Sequence, residues 1–153
     1  MGLIFSVSLK AQIPAAVIPE FNFFKLDQKP FVNKDLAGGK LLFFVFFDPT
    51  CEHCQHSVQY MNANYNSYKK ASIYMISMSP ELQINQFMNK YGKDLKAKPN
   101  ITLLQDRKNE FILKFKPKKY PGLFLYSSQK KLIVYSDDDD GMQKMARAIK
   151  EAK

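Results

Sequence analysis

The most apolar part of the chain is an unbroken run of seven residues, Leu41-Leu-Phe-Phe-Val-Phe-Phe47. Because this run is apolar at both odd and even positions, it predicts the central strand of a sheet that is covered on both sides. Pro49 ends the strand, since proline cannot donate to a sheet ladder. Residues 72–79 form a second run of buried character and predict a neighbouring strand.

A helix is predicted between these two strands, from Cys51 to about Lys70. Its apolar positions recur at spacings of three and four residues, which places them on one face. They are Val58, Met61, Tyr65 and Tyr68. Thr50, directly before this helix, is a residue type that caps helix N-termini well.

Shorter elements are predicted on either side of this unit. Residues 21–26 and 31–33 predict two short strands that a turn joins into a hairpin. Further helices are predicted over residues 80–91, 109–115 and 142–152, and further strands over residues 101–104, 122–126 and 131–135.

This order of elements indicates the fold class α/β. Strands that alternate with helices favour right-handed crossovers and helices on both faces of the sheet. The terminal hairpin adds antiparallel pairing, so the central sheet is expected to be mixed, with a further short β-hairpin at the N-terminus. We expect residues 1–17 to be an extended lead-in or signal-peptide remnant and residues 18–153 to form one domain.

Composition and charge narrow the possible classes. The 153 residues fit about one domain, and 13 Phe and 8 Tyr exclude a disordered chain. The formal net charge is +9, and residues 107–119 hold six Lys and Arg against one Glu. We interpret this basic stretch as a solvated face, with steering of acidic partners as the alternative. No nucleic-acid motif accompanies it, so no nucleic-acid partner is expected.

The first twelve residues are similar to the second half of a secretory signal. They are mostly apolar and end in small residues near Ala11, although the positively charged beginning of such a signal is missing. An ordinary N-terminal strand is the alternative. We expect an exported protein, periplasmic or membrane-associated through an N-terminal signal, with a cytoplasmic location as the alternative.

The only two cysteines form the motif Cys51-Glu52-His53-Cys54, directly after the central strand and at the start of the helix. The N–H groups and partial positive charge of a helix N-terminus favour the reactive thiolate of Cys51. Cys54 follows one turn later on the same face, close enough to form a disulfide. The pattern therefore predicts Cys51 as the nucleophile and Cys54 as the resolving cysteine.

The motif has two other interpretations. Zinc takes four ligands, and the only histidines, His53 and His56, share one short segment with both cysteines. Four side chains from one such segment cannot easily surround a tetrahedral ion. An inert pair of buried thiols is the second alternative, which the position after a strand disfavours. We expect no metal and no cofactor.

The chain resembles thioredoxin-fold proteins of the redoxin or TlpA-like branch of thiol–disulfide oxidoreductases. The matching stretches are residues 18–21, 26–31, 35–40, 41–54 and 120–126. The resemblance covers roughly residues 18–153 and implies a thioredoxin-like three-layer sandwich. It also implies that Pro121 is a cis-proline facing the two cysteines, and that Tyr120 and Gly122 contact an extended substrate.

The sequence departs from this family's pattern around the motif. Thr50 stands where a Trp commonly precedes the first cysteine, and we count it among the substrate-contacting positions. Val45 and Ser57 stand where members of the family often carry an acid near the second cysteine. Glu52 and His53 are therefore the local candidates for proton transfer to Cys54.

The resemblance implies an enzyme that acts by dithiol/disulfide exchange. We expect it to reduce protein disulfides in an exported compartment as a monomer, with protein thiols and disulfides as partners and a membrane or soluble electron donor. Three alternatives stay open: a disulfide-forming oxidase, a thiol peroxidase and a redox-inactive thioredoxin-fold binding module. The peroxidase pattern Pro-x-x-x-Thr-x-x-Cys is not met by Pro49, Thr50 and either cysteine. The intact cysteine pair disfavours the binding module.

Overall fold

A computed structural model describes residues 12–152 of the chain. Residues 1–11 lie outside this range, so the interpretation of the first twelve residues as a signal falls almost wholly outside the described part of the chain. The strands are β1 (Asn22–Lys25), β2 (Pro30–Val32), β3 (Leu41–Phe46), β4 (Ala71–Ser77), β5 (Ile101–Gln105), β6 (Gly122–Tyr126) and β7 (Leu132–Ser136). The α-helices are α1 (Glu52–Ala63), α2 (Glu81–Tyr91), α3 (Glu110–Phe115) and α4 (Gly141–Glu151).

The seven strands form one sheet in the order β2-β1-β5-β4-β3-β6-β7. β3 lies near its centre, parallel to β4 and antiparallel to β6. β1 and β2 form the predicted N-terminal hairpin. The prediction of a mixed sheet is confirmed. The antiparallel pairing of β3 with β6 matters for the site. Phe46 at the end of β3 pairs with Gly122 at the start of β6, so the segment before β6 lies beside the end of β3.

Side chains alternate across the sheet and form two separate cores. Phe43, Val45 and Phe47 pack on one side, with buried residues of α1, α2 and α4, and we call this side the helical face. Leu42, Phe44 and Phe46 pack on the other side, with the hairpin and α3, and we call this side the aromatic face. Helices therefore cover both faces of the sheet, as predicted.

Helix α1 is shorter than its apolar spacing predicts. It ends at Ala63 rather than near Lys70. Asn64 leaves the helical backbone conformation, and its side-chain amide donates to the Tyr60 carbonyl beside its own backbone N–H. A short 3₁₀ turn, Tyr65–Ser67, follows. Tyr68 is still fully buried against the same core, so its position was predicted correctly although it lies outside the helix. Within the described range, no helix is long and apolar enough to cross a membrane.

Candidate active site

The two cysteines lie where the chain leaves β3 and enters α1. The segment before β6 approaches this point from the neighbouring strand, and its Tyr120–Pro121 peptide bond is cis. The Cys51 thiol contacts the carbonyl oxygen of Tyr120, with 4.0 Å between Sγ and O. The fold thus brings the cysteine motif together with the proline segment, 70 residues apart in the sequence.

The two sulfurs differ in their access to solvent. Both cysteines are free thiols; Cys51 is half-buried, whereas Cys54 is fully buried. The backbone N–H of Cys54 donates to Cys51 Sγ over 3.3 Å. A sulfur that receives a backbone N–H at a helix start is well placed to carry negative charge. Cys51 is therefore the sulfur that an incoming disulfide can reach.

The prediction that Thr50 caps α1 is wrong. The capping residue is Cys51, whose sulfur accepts the N–H of Cys54 in place of a hydroxyl oxygen. Thr50 is exposed and lies in the preceding turn, where its N–H and its hydroxyl both donate to Asp48 Oδ1, over 2.8 and 2.7 Å. The reactive group itself thus occupies the capping position.

The environment of Cys54 keeps its thiol protonated. Burial raises the pKa of this thiol far above its ordinary value, and the contact with Cys51 raises it further. The backbone N–H of Asp48 faces the Cys54 sulfur and acts in the opposite direction, while the negative charges of Cys51 and Asp48 again raise the pKa. Cys54 is therefore a thiol that needs help to lose its proton.

Glu52 and His53 are both exposed, although they lie between the cysteines. His53 Nδ1 is 3.1 Å from Asp139 Oδ1 in the loop before α4, in a pair whose side chains are 67% and 89% exposed. Within residues 12–152, neither Glu52 nor His53 forms a hydrogen bond with a cysteine sulfur. The structure does not bring these two candidates to Cys54.

Asp48 is the residue at this site that sequence reasoning missed. It lies three residues before Cys51, and its charge is among the causes that raise the pKa values of Cys54 and Tyr120. The signal was present in Asp48-Pro49-Thr50, because an Asp two residues before a Thr commonly closes a turn with its side chain.

Tyr120, Pro121 and Gly122 occupy different environments. The Tyr120 ring packs at 4.9 Å from the ring of Phe46, and burial followed by the charges of Asp48, Cys54 and Cys51 raises the pKa of its phenol. Pro121 is buried at the side of a cavity of about 380 Å³ that His53, His56 and Asp137 also line. Gly122 is buried in the sheet, where a Cβ would lie 2.9 Å from Pro117 Cβ.

The basic stretch is partly neutralised by its own Glu110 and by Asp137 from the loop before α4. Lys114 Nζ donates to Glu110 Oε1 over 2.7 Å, and Lys119 Nζ is 3.8 Å from Asp137 Oδ1. In the part of the chain that is described, no three His, Cys, Asp or Glu residues are grouped so that they could hold an ion.

Comparisons with known proteins agree with this geometry. The AhpC/TSA family matches residues 14–135. The thiol-disulfide oxidoreductase ResA of Bacillus thuringiensis (strain Al Hakam) is 31% identical over 77 residues, and that of Bacillus anthracis gives the same figures. The match covers 48% of this chain and 44% of the relative, so it spans less than half the length of these curated relatives.

Solved structures show the fold. The thioredoxin domain of a thiol-disulfide oxidoreductase from Bacteroides vulgatus superposes with a TM-score of 0.69 at 16% identity, covering 91% of this chain and 99% of that one. Peroxidoxin BcpB from Mycobacterium tuberculosis has a TM-score of 0.70 at 14% identity, covering 91% and 96%. The fold is therefore thioredoxin-like. Because the family match extends over most of the residues that build this fold, the chain belongs to the AhpC/TSA family.

Proposed function

We propose that this protein is a thiol–disulfide oxidoreductase that works through Cys51 and Cys54. The observation that carries the proposal is the asymmetry of the two thiols: a half-buried Cys51 sulfur accepts the N–H of a fully buried Cys54. Such a pair can form a mixed disulfide at the accessible sulfur and close it from the buried one.

The reaction proceeds in two exchanges. The Cys51 thiolate attacks a substrate disulfide, a mixed disulfide forms, and the first substrate thiolate leaves. Cys54 then attacks Cys51 Sγ, and the second substrate thiolate leaves. The Cys51–Cys54 pair loses two electrons, the substrate disulfide gains them, and the two protons from the protein thiols end on the substrate thiols.

Substrate contact is assigned to the surface around Cys51. Tyr120 and Pro121 reach it from the segment before β6, and the exposed Thr50 reaches it from the turn before α1. Gly122 contributes through its backbone, since its Cα side is packed against Pro117. An extended peptide beside Pro121 would place its own disulfide next to the Cys51 sulfur.

The preferred direction is reduction of protein disulfides in an exported compartment, with a membrane or soluble electron donor that re-reduces the pair. The resemblance to TlpA-like proteins supports this direction, because it implies a reductant that a membrane donor supplies with electrons.

Alkylation followed by mass spectrometry tests the proposed chemistry. The oxidised protein should take up no alkyl group, and the protein reduced with dithiothreitol should take up two. Equal labelling before and after reduction would show that Cys51 and Cys54 do not form a reversible disulfide, and the proposal would fail.

A glutathione redox titration tests the direction. A potential near that of thioredoxin, about −270 mV, supports a reductant, whereas one near about −120 mV supports a disulfide-forming oxidase. Peroxide consumption by the reduced protein, measured beside reduction of insulin disulfides, separates these functions from a thiol peroxidase. Inactivity in both assays would leave a binding module.

A further inference from the structure

A cavity of about 700 Å³ lies at the end of the sheet opposite the two cysteines. Leu41 lines it from the first position of β3, whereas Cys51 comes after the last position of that strand. Ile149 and Glu151 line it from the end of α4, and Ser127 lines it from the turn between β6 and β7. Because a strand of this length spans about 20 Å, the cavity is separate from the candidate active site.

A second cavity, of about 400 Å³, adjoins the first, since both are lined by Lys70 and Ile149. Together the two cavities are lined by several exposed cationic side chains and a single carboxylate, that of Glu151. Within residues 12–152, none of these cations forms a salt bridge. We call this surface the basic end, and its cations are Lys40, Lys70, Arg147 and Lys150.

Apolar side chains lie among the cations of the basic end. Leu41, Ile133 and Ile149 line the first cavity, and Ile133 is 48% exposed on the edge strand β7. Lysine stems can pack along such apolar surface while their ammonium groups stay in water. Surfaces that combine exposed apolar groups with lysines bind the interface of anionic membranes, because apolar burial and charge attraction add together there.

The opposite end of the molecule carries the opposite charge. Four consecutive acids, Asp137-Asp-Asp-Asp140, precede α4, and Glu52 is exposed beside the cysteines. A negatively charged surface therefore attracts the basic end and repels the end that holds Cys51. At physiological ionic strength the screening length is about 8 Å, so a surface bound at the basic end has little electrostatic effect on the thiols.

Nucleic acid is the other large polyanion that a basic surface can bind. Proteins that bind it commonly use arginine forks on phosphates and aromatic rings on which the bases stack. Arg147 is the one arginine of the basic end, and no aromatic residue lines either cavity. The apolar side chains around Ile133 would also be left exposed beside a phosphate backbone. These observations favour a membrane surface over a nucleic acid.

We propose that the basic end binds the surface of a membrane that contains anionic phospholipids. Its cations contact the phosphate head groups, and Ile133 and the apolar side chains of the cavity lie against the boundary of the acyl chains. The bound protein keeps Cys51 on the side that faces away from the membrane. The contact is independent of the thiol chemistry, so it can be tested without assuming the proposed function.

Co-sedimentation of the full chain with vesicles tests the proposal. The protein should bind vesicles of mixed phosphatidylglycerol and phosphatidylcholine, should not bind pure phosphatidylcholine, and should dissociate as salt is added. The triple variant Lys40→Gln/Lys70→Gln/Lys150→Gln should bind the mixed vesicles about tenfold more weakly or less, because each lysine near an anionic surface adds to the attraction. Ile133→Asn, which keeps every charge, should also weaken binding, by a smaller factor.

The matched control is Lys108→Gln/Lys116→Gln/Lys118→Gln, which removes the same charge from exposed positions of the basic stretch. It should bind the mixed vesicles nearly as the native protein does, and because all variants keep residues 1–11, any contribution of that segment is common to them. Equal losses in the two triple variants would overturn the proposal, since only net charge would then matter. So would equal binding to both kinds of vesicle, or release of the protein by inorganic phosphate at matched ionic strength, which would indicate a site for a free anion.

Discussion

The two faces of the central sheet are built from different kinds of side chain, although one strand supplies both. On the helical face, β3 meets methionines and aliphatic residues of α1, α2 and α4, and both cysteines lie there. On the aromatic face, the same strand meets mostly phenylalanine and tyrosine. In the aromatic cluster, Phe111 and Phe115 stack at 4.2 Å, and Phe46 stacks on Phe111 at 4.5 Å.

We infer from this difference that the aromatic face contributes mainly to stability, whereas the helical face carries the thiol chemistry. Stacked and edge-on rings contribute beyond their buried area, so a short helix such as α3 can close the aromatic face. The helical face has longer helices and can expose one end of α1 to substrate. Tyr120 packs against both clusters, and its carbonyl contacts the Cys51 thiol. It is therefore the side chain through which the two faces meet at the site.

Changing the cysteines should abolish the thiol chemistry of the helical face and leave the packing of the aromatic face unchanged. Cys51→Ser should abolish disulfide exchange, because the accessible nucleophile is lost. Cys54→Ser should instead accumulate mixed disulfides, which non-reducing electrophoresis detects. The free energy of unfolding of reduced Cys51→Ser should stay within about 0.5 kcal/mol of the native value. Faster alkylation of Cys54 than of Cys51 at neutral pH would reverse their roles.

Phe44→Ala should break the aromatic face and leave the thiol chemistry intact. Phe44 is fully buried and lies 5.3 Å from Phe115 and 5.2 Å from Tyr74, measured between ring centroids. We expect a loss of about 3–5 kcal/mol in the free energy of unfolding, measured with urea. Leu113→Ala is the matched control. Leu113 lies on α3 and is 69% exposed, so its truncation should change the free energy of unfolding by less than about 0.5 kcal/mol.

If Phe44→Ala also slowed the reaction of Cys51 with dithiobis-nitrobenzoate under conditions where the protein is folded, the two faces would not be separable in this way. The first thionitrobenzoate released reports attack by Cys51 alone, so its rate is the sensitive readout.

Much of this architecture could be predicted from the sequence because it rests on strong local patterns. The run from Leu41 to Phe47 is apolar at every position, which requires burial on both sides. The cysteine motif at the strand–helix junction likewise depends only on neighbours in the chain. The pattern could not show that the residues packed on the two sides of β3 would differ in kind. Phe111 and Phe115 contact Phe44 only through the tertiary fold.

The parts that were predicted wrongly depend on competition between local bonds. Asn64 ends α1 although the apolar spacing continues to Tyr68. Thr50 could cap the helix by residue type, but the Cys51 sulfur takes the N–H of Cys54, and Thr50 bonds to Asp48 instead. Periodicity reports which residues are buried, and it does not report which of two nearby acceptors a donor will choose.

Tyr68→Phe should sharpen the comparison on the helical face, where buried polar groups are few. The Tyr68 hydroxyl donates to the carbonyl of Met142 over 2.8 Å and ties the segment after α1 to the start of α4. Its removal takes away one buried hydrogen bond and should cost about 0.5–1.5 kcal/mol in urea unfolding. Tyr65→Phe, which removes a partly buried bond to Asn100, should cost less because water can reach the freed amide. Equal losses would contradict this ranking.

Glu110→Gln should produce the smallest effect, on the polar border of the aromatic face. Partial burial favours a higher pKa for Glu110, but hydrogen bonds from Lys114 and from the backbone N–H of Asn22, together with the Lys114 charge, outweigh it and hold the pKa below its ordinary 4.5. A carboxyl with a lowered folded-state pKa stabilises the protein above its unfolded pKa, and that contribution disappears as the pH falls through the folded pKa. At neutral pH the variant should therefore be less stable by about 1 kcal/mol or less, and the difference in stability from the native protein should disappear as the pH falls below about 4.5.

Lys114→Met should show the same loss of stability at neutral pH and the same disappearance at low pH, because it removes the partner of the same carboxylate. Urea unfolding at a series of pH values measures both, and a difference that stays constant down to the lowest pH would show that this carboxylate contributes nothing through its charge.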